Sequence, residues 1–183
     1  MTCPAVTDRG LTIVRSASYK KADGTVQSAP DSTTNTINVQ IQVTGTVIRR
    51  DSAVSTVNNS SDRTVSGLAV GSTQRTVNGT SKGEESTSGT NADGVFTALR
   101  LVGDTTSGLV IPVVSGMPTY PTAGTVIRSM KVTVTIAGGT PTTKQRREVI
   151  TYDGSATAKI VITQDGTTKT CSLPLPRGIP TCS

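Results

Sequence analysis

From Asn35 to Val47 apolar and polar residues take turns. Ile37, Val39, Ile41, Val43 and Val47 fall on one side, and Asn38, Gln40, Gln42, Thr44 and Thr46 fall on the other. A repeat of two residues is the repeat of a β-strand, whose successive side chains point to opposite faces. The stretch therefore predicts a long antiparallel strand with one wet face. Residues 124–136, "GTVIRSMKVTVTI", do the same and put Val126, Met130, Val132, Val134 and Ile136 on one side. A strand near Leu11–Lys20 precedes the first of these, joined to it through "KADGTVQSAPDS". "VFTALRLVG" and "GLVIPVV" read as two further strands, and Pro112 places the second at an edge or a bulge. "SGMPTYPTAG" at 115–124 is a Pro-rich connection. Residues 78–94, "NGTSKGEESTSGTNADG", carry almost no apolar side chain and read as a mobile loop or an exposed hairpin tip.

The last third has the firmest turn signals. Asp153-Gly154 and Asp165-Gly166 each stand between alternating runs. Asp-Gly suits a two-residue hairpin loop, because a type I′ turn needs positive φ at both central residues. Taken that way, the first pair sets Tyr152 opposite Ser155, Glu148 opposite Lys159 and Val149 opposite Ala158. The second sets Ile160 opposite Cys171 and Ala158 opposite Leu173. One face then holds Val149, Ala158, Ile160, Ile162, Cys171 and Leu173, while a Glu148–Lys159 pair lies on the other.

Composition removes the competing helical reading. Thr contributes 34 residues and Val 21, and such β-branched side chains favour strands over helices. No window shows a sustained helical period. The expectation is a single all-β domain over residues 1–183, an antiparallel β-sandwich or barrel-like meander with long alternating strands and a C-terminal multi-hairpin sheet. Residues 1–9 are polar and short, and are expected as an N-terminal arm. The phrase Arg-Thr-Val-Ser-Gly at 63–67 returns as Arg-Thr-Val-Asn-Gly at 75–79. It is read as two strands around the loop "SGLAVGSTQ", since no Gly-Lys-Ser/Thr and no helix follows to make a phosphate-binding loop.

Chemistry is narrowed by what the chain lacks. It has no His, the commonest general base and metal ligand. Three Cys cannot make a four-Cys zinc site. Glu84-Glu85 is the one adjacent carboxylate pair, and neighbours in a hydrated loop do not shift each other's acidity usefully. Asn91, Asp93 and Asp104 match no calcium-loop spacing. The chain is thus expected to be no enzyme, with no catalytic, cofactor-binding or metal-binding residues.

Charge gives the one binding candidate. Residues 1–119 hold ten basic and nine acidic groups; residues 120–183 hold eight and three. Arg128, Arg146, Lys159 and Lys169 could line a patch for a polyanion such as nucleic acid or an acidic polysaccharide. A merely solvated basic face fits the same numbers. Base stacking has little to work with, since Tyr19, Phe96, Tyr120 and Tyr152 are the only aromatic residues.

Cys171 and Cys182 flank the turn "PLPRGIP" and would face each other across a final hairpin, close enough for a disulfide. The alternative is unpaired buried thiols. Cys3 is then left free, lipid-anchored or bonded to another chain. A Thr-, Ser- and Gly-rich chain of this kind suits export, with the native signal missing ahead of Met1 and the mature protein outside the cell or in its envelope. Its longest apolar run, 108–114, is too short for a membrane-spanning helix.

Three stretches, "RTVSGLAVGSTQRTVNGT", "YPTAGTVIRSMKVTVTI" and "RREVITYDGSATAKIVITQDGTTKTCSLPLPRGIPTC", carry a resemblance over the last two thirds of the chain. Their order and phrasing resemble a group of small, Thr-rich exported bacterial envelope proteins of uncharacterised function. The resemblance implies export and all-β structure and brings no activity or site. Long, sparsely charged strands suggest the function: a structural or adhesive module that partners itself, as an oligomer or filament joined through sheet edges or the N-terminal arm.

Overall fold

A computed structural model of the chain describes residues 1–114, 119–176 and 178–182. The strands are β1 (Val6–Asp8), β2 (Leu11–Lys21), β3 (Val26–Gln27), β4 (Thr34–Ile48), β5 (Val54–Ser66) and β6 (Gln74–Asn91). They continue as β7 (Gly94–Pro112), β8 (Ala123–Ile136), β9 (Thr142–Thr151), β10 (Thr157–Gln164), β11 (Thr167–Pro174) and β12 (Thr181–Cys182). All join one antiparallel sheet in the order β1-β2-β4-β5-β6-β7-β8-β9-β10-β11-β12, with β3 also on β2. The expected meander is present. It is one open sheet, not closed into a barrel.

Every strand therefore leans on its neighbours in sequence, and the ladder fixes which side chains share a face. β4 behaves as its alternation requires. Val39, Ile41 and Val43 stand opposite Arg63, Ser61 and Asn59 of β5, while Asn38, Gln40 and Gln42 share the other face with Thr64, Asp62 and Ser60. On that polar face Asp62 accepts hydrogen bonds from Asn38 and from Gln40 Nε2 at 2.9 Å. Val65 and Val77 stand directly opposite each other, which confirms the strand–loop–strand reading of the repeated phrase.

Three expectations are corrected. Residues 78–94 are no mobile loop: they end in the exposed tip of the long hairpin β6–β7, at 92–93, but the rest is strand, and β6 is an inner strand laddered on both sides. Its Ser, Thr and Gly side chains give no apolar signal because neighbouring strands supply the bulk. A Cβ on Gly89 would stand 3.0 Å from the Phe96 ring, and one on Gly83 would run into the Asn59 side chain. "VFTALRLVG" and "GLVIPVV" are likewise one strand, β7, interrupted by a bulge between Ser107 and Val110. Asn78 Oδ1 accepts the Gly108 N–H at 2.7 Å there, and Pro112 closes the strand. The Pro-rich connection after it lies partly outside the described residues, at 115–118.

The third correction is a register. Asp165-Gly166 is the expected two-residue turn, with φ of 48° and 86°, and Ile160 faces Cys171 as expected. Asp153-Gly154 is not such a turn. The β9–β10 connection takes in residues 152–156, so Ile150 faces Ile160, Val149 faces Val161 and Glu148 faces Ile162. The shift is by an odd number of residues. It puts Ile150 on the core face in place of Val149, and it separates Glu148 from Lys159. The wider loop is held by one local and one long-range bond. Asp153 Oδ1 accepts the Ser155 N–H at 3.0 Å, and the Gly154 N–H reaches Pro121 O at 2.9 Å.

The core is small and lies at one end. Val126, Ile150, Ala158, Ile160 and Cys171 are buried together, with Tyr152, Ile162, Leu173 and Leu175 against them. Cys182 faces Cys171 in the ladder and is bonded to it, which returns the chain's last residues to the sheet. At the other end residues 1–8 run back along β2. Cys3 N–H donates to Arg15 O at 2.9 Å and Ala17 N–H to Met1 O at 2.8 Å. Cys3 itself is an exposed free thiol.

Candidate interaction surfaces

The two faces of the sheet are distinct surfaces, and the basic residues divide between them. The core face carries Arg128 on β8, Arg146 on β9 and Lys169 on β11. Each stands in the same alternation as a core residue: Val126, Ile150 and Cys171 respectively. Lys159 points to the opposite face, because it alternates with the buried Ala158 and Ile160. The proposed set of four is thus not one patch.

Two of the remaining three have acids beside them. Glu148 stands opposite Arg128 in the ladder and two residues from Arg146 on the same face of β9. Its carboxylate is 2.8 Å from the Arg146 guanidinium and 4.0 Å from that of Arg128. Asp104, opposite Arg128 on the other side, lies 3.7 Å away. Exposed pairs of this sort stabilise little, about 0–1 kcal/mol each, but they lower the local positive field. The row Asp104–Arg128–Glu148 was hidden in the sequence, since its members lie twenty or more residues apart. Only the β7–β8 and β8–β9 registers reveal it.

On the opposite face Lys131, Arg147 and Lys159 have no ion pair among the described residues. Leu101, Lys131, Gln145 and Arg147 border a shallow depression there. This group was missed because the expected register, with Lys159 opposite Glu148, puts Lys159 on the same face as Arg146.

Near the β4–β5 turn the core face has a polar anchor. Ser55 and Thr87 are buried and share a hydrogen bond of 2.8 Å, and Arg49 Nε donates to Ser55 Oγ at 2.8 Å. The Arg49 guanidinium also pairs with Glu85, which has Arg100 3.7 Å away on its far side. Glu84 lies on the opposite face, so the adjacent carboxylates are split by the strand. Asn91 Oδ1 accepts the Asp93 N–H at 2.9 Å within the β6–β7 turn, and Asp104 belongs to the distant ion-pair row.

The largest feature is the apolar face of β4 itself. Nothing among the described residues covers it: Val39 is 36 % exposed, and Ile37, Ile41, Val43 and Val47 are only half-buried. The total accessible surface is 11519 Å². A compact monomer of 18.8 kDa exposes about 8,300 Å² by the usual scaling of surface with mass. The excess of roughly 3,000 Å² is the signature of a single-layer sheet. In comparison with known proteins, no family model matches the chain, and neither a curated protein nor a solved structure matches it.

Proposed function

We propose that the protein is a non-enzymatic structural module of the cell surface or extracellular matrix that works by associating with copies of itself. The observation that carries this reading is the uncovered β4 face with the accompanying excess of surface. Soluble monomers rarely leave large contiguous apolar patches open, and stable layer architectures bury each sheet face against something. The Cys171–Cys182 bond fits an oxidising location, in keeping with export. Sedimentation velocity and negative-stain imaging across a concentration series test the reading. Discrete oligomers or filaments at micromolar concentration are expected. A strictly monomeric species at the highest concentration reached would sink it.

A second reading keeps a polyanion as partner and moves it to the face with Lys131, Arg147 and Lys159. Heparin or DNA binding that falls steeply with salt, and that is lost with Lys131→Gln and Arg147→Gln, would favour it.

A further inference from the structure

We propose that two copies of the chain pack face to face, the Ile/Val ridge of β4 in each seated on β6 of the other, about a two-fold axis running along β5. This rests on the reading that the chain self-associates, and it names the surface.

The ladder places ridge and seat symmetrically. Along the rows that cross the sheet, Val39 is followed by Arg63 and Gly79, Ile41 by Ser61 and Ser81, and Val43 by Asn59 and Gly83. The ridge is therefore one strand to one side of β5, and a line of Gly, Ser and Gly is one strand to the other side. Neighbouring strands lie about 4.8 Å apart. A two-fold along β5 brings each ridge over the other copy's small residues, and both contacts form at once, as an isologous interface requires. Asn59 leans over Gly83, and a hollow remains beside it between Ile41, Val43 and Val102.

The next strands out agree with the same axis. β2 of one copy then lies over β7 of the other. Ile13, in the row of Val43, meets Val102, in the row of Gly83. Arg15, in the row of Ile41, meets Asp104, in the row of Ser81. Apolar thus meets apolar and positive meets negative. Of the other charges on this face, Glu85 is held between Arg49 and Arg100. Arg63 stands on the axis and meets its own counterpart, a like-charge contact, and Asp104 is shared between Arg15 and the adjacent Arg128. β4 has no charged residue from Thr34 to Ile48.

Area and edges favour this mode. A standard interface buries about 800 Å² on each partner, and obligate ones more. The excess of roughly 3,000 Å² over a compact monomer accommodates that. The sheet ends are poor docking edges by comparison. β1 has three residues with Pro4 just before it, β12 has two, and short or Pro-bearing edge strands discourage strand addition.

The test uses the full chain in a Cys3→Ser background. Ser61→Cys puts a thiol on the proposed axis, and a bis-maleimide spanning about the 10 Å between packed sheets should join two chains through residue 61. Ser60→Cys, on the opposite face, should give no such product. Ile41→Asp should weaken association at least tenfold, Gln40→Asp should leave it unchanged, and Arg63→Thr should tighten it several-fold. Ser61→Cys chains that associate without a 61–61 cross-link, or Ile41→Asp and Gln40→Asp chains that associate alike, would overturn the face-to-face mode and leave self-association standing. In a separate arm with the wild-type chain, cross-linking through Cys3 in place of the Ser61→Cys product would point to the sheet edge. A wild type that stays monomeric removes both. Circular dichroism of Ile41→Asp separates lost association from lost folding, and the Ser61→Cys result stands independently of it.

Discussion

β4 and the β8–β11 region present the same alternation and meet opposite fates. In β8, β9 and β10 the inward residues Val126, Ile150 and Ile160 are 6 %, 1 % and 2 % exposed. In β4 the equivalent Val39 is 36 % exposed, and no residue of its Ile/Val stripe is buried. The difference lies in what folds over the strands. At the C-terminal end Tyr152, Leu173 and Leu175 pack on the cluster, and the disulfide holds the tail in place. At β4 the described residues supply no such cover. Alternation states which face is apolar; cover has to come from a tail, a second layer or another molecule.

The largest effect expected from this contrast is on core truncation. Ile150→Ala should cost about 2–5 kcal/mol, because it removes a fully packed side chain and leaves a cavity. Ile41→Ala in dilute protein should stay within about 0.5 kcal/mol, as for a surface change. Urea unfolding of the two variants measures both. At concentrations where the chains associate, the Ile41→Ala cost should rise, since the ridge is then covered. Equal losses in dilute solution would erase the distinction between the two regions.

Next in size is the disulfide. Cys171 and Cys182 are separated by 11 residues, and closing a loop of that length contributes about 3 kcal/mol in the chain-entropy account. Replacing both with Ser should lower stability by that order. Hydrogen exchange should show protection falling first in β10–β12, with β4–β6 little changed. A uniform loss over the whole sheet would mean that the two ends unfold as one unit, and the regional contrast would then be structural only.

How much of this was legible in the sequence follows from the kind of signal each element carried. β4 and β8 were read to their faces because a period of two with Ile and Val admits one pairing parity. The Asp165-Gly166 hairpin and the cysteine pair were read to the residue, since a two-residue turn fixes register locally. β6 was lost, because a strand held from both sides by its neighbours needs no apolar residues of its own. The β9 register was lost because Asp153 and Gly154 are engaged by Ser155 and Pro121, and the latter contact comes from a segment some thirty residues upstream. That one error carried into the basic patch, joining Lys159 to Arg146 on one face. An open sheet rather than a closed or doubled one was equally out of reach. Strand lengths and turns are the same for each, and only the missing cover tells them apart.

The smallest expected effect sharpens the contrast from the C-terminal side. Tyr152 packs against the buried cluster, and burial raises its phenol above the ordinary value of 10.0; nearby Asp104 adds to this, while Arg128 opposes it. A group whose folded pKa is raised contributes stability that is fully present below its unfolded pKa. That contribution is lost as pH rises through the folded value. The unfolded chain ionises Tyr152 near pH 10, whereas the folded chain holds it protonated to higher pH, so unfolding is favoured increasingly above that point. Stability should therefore fall more steeply between pH 9.5 and 11 in the wild type than in Tyr152→Phe, which has no phenol to ionise and keeps the ring (about these limits follow from the ordinary tyrosine range). Urea midpoints of the two proteins across that interval isolate the difference, because all other titrating groups are shared. Parallel slopes would mean that Tyr152 is as hydrated as in the unfolded chain, and that the C-terminal cluster is no better covered than the β4 face.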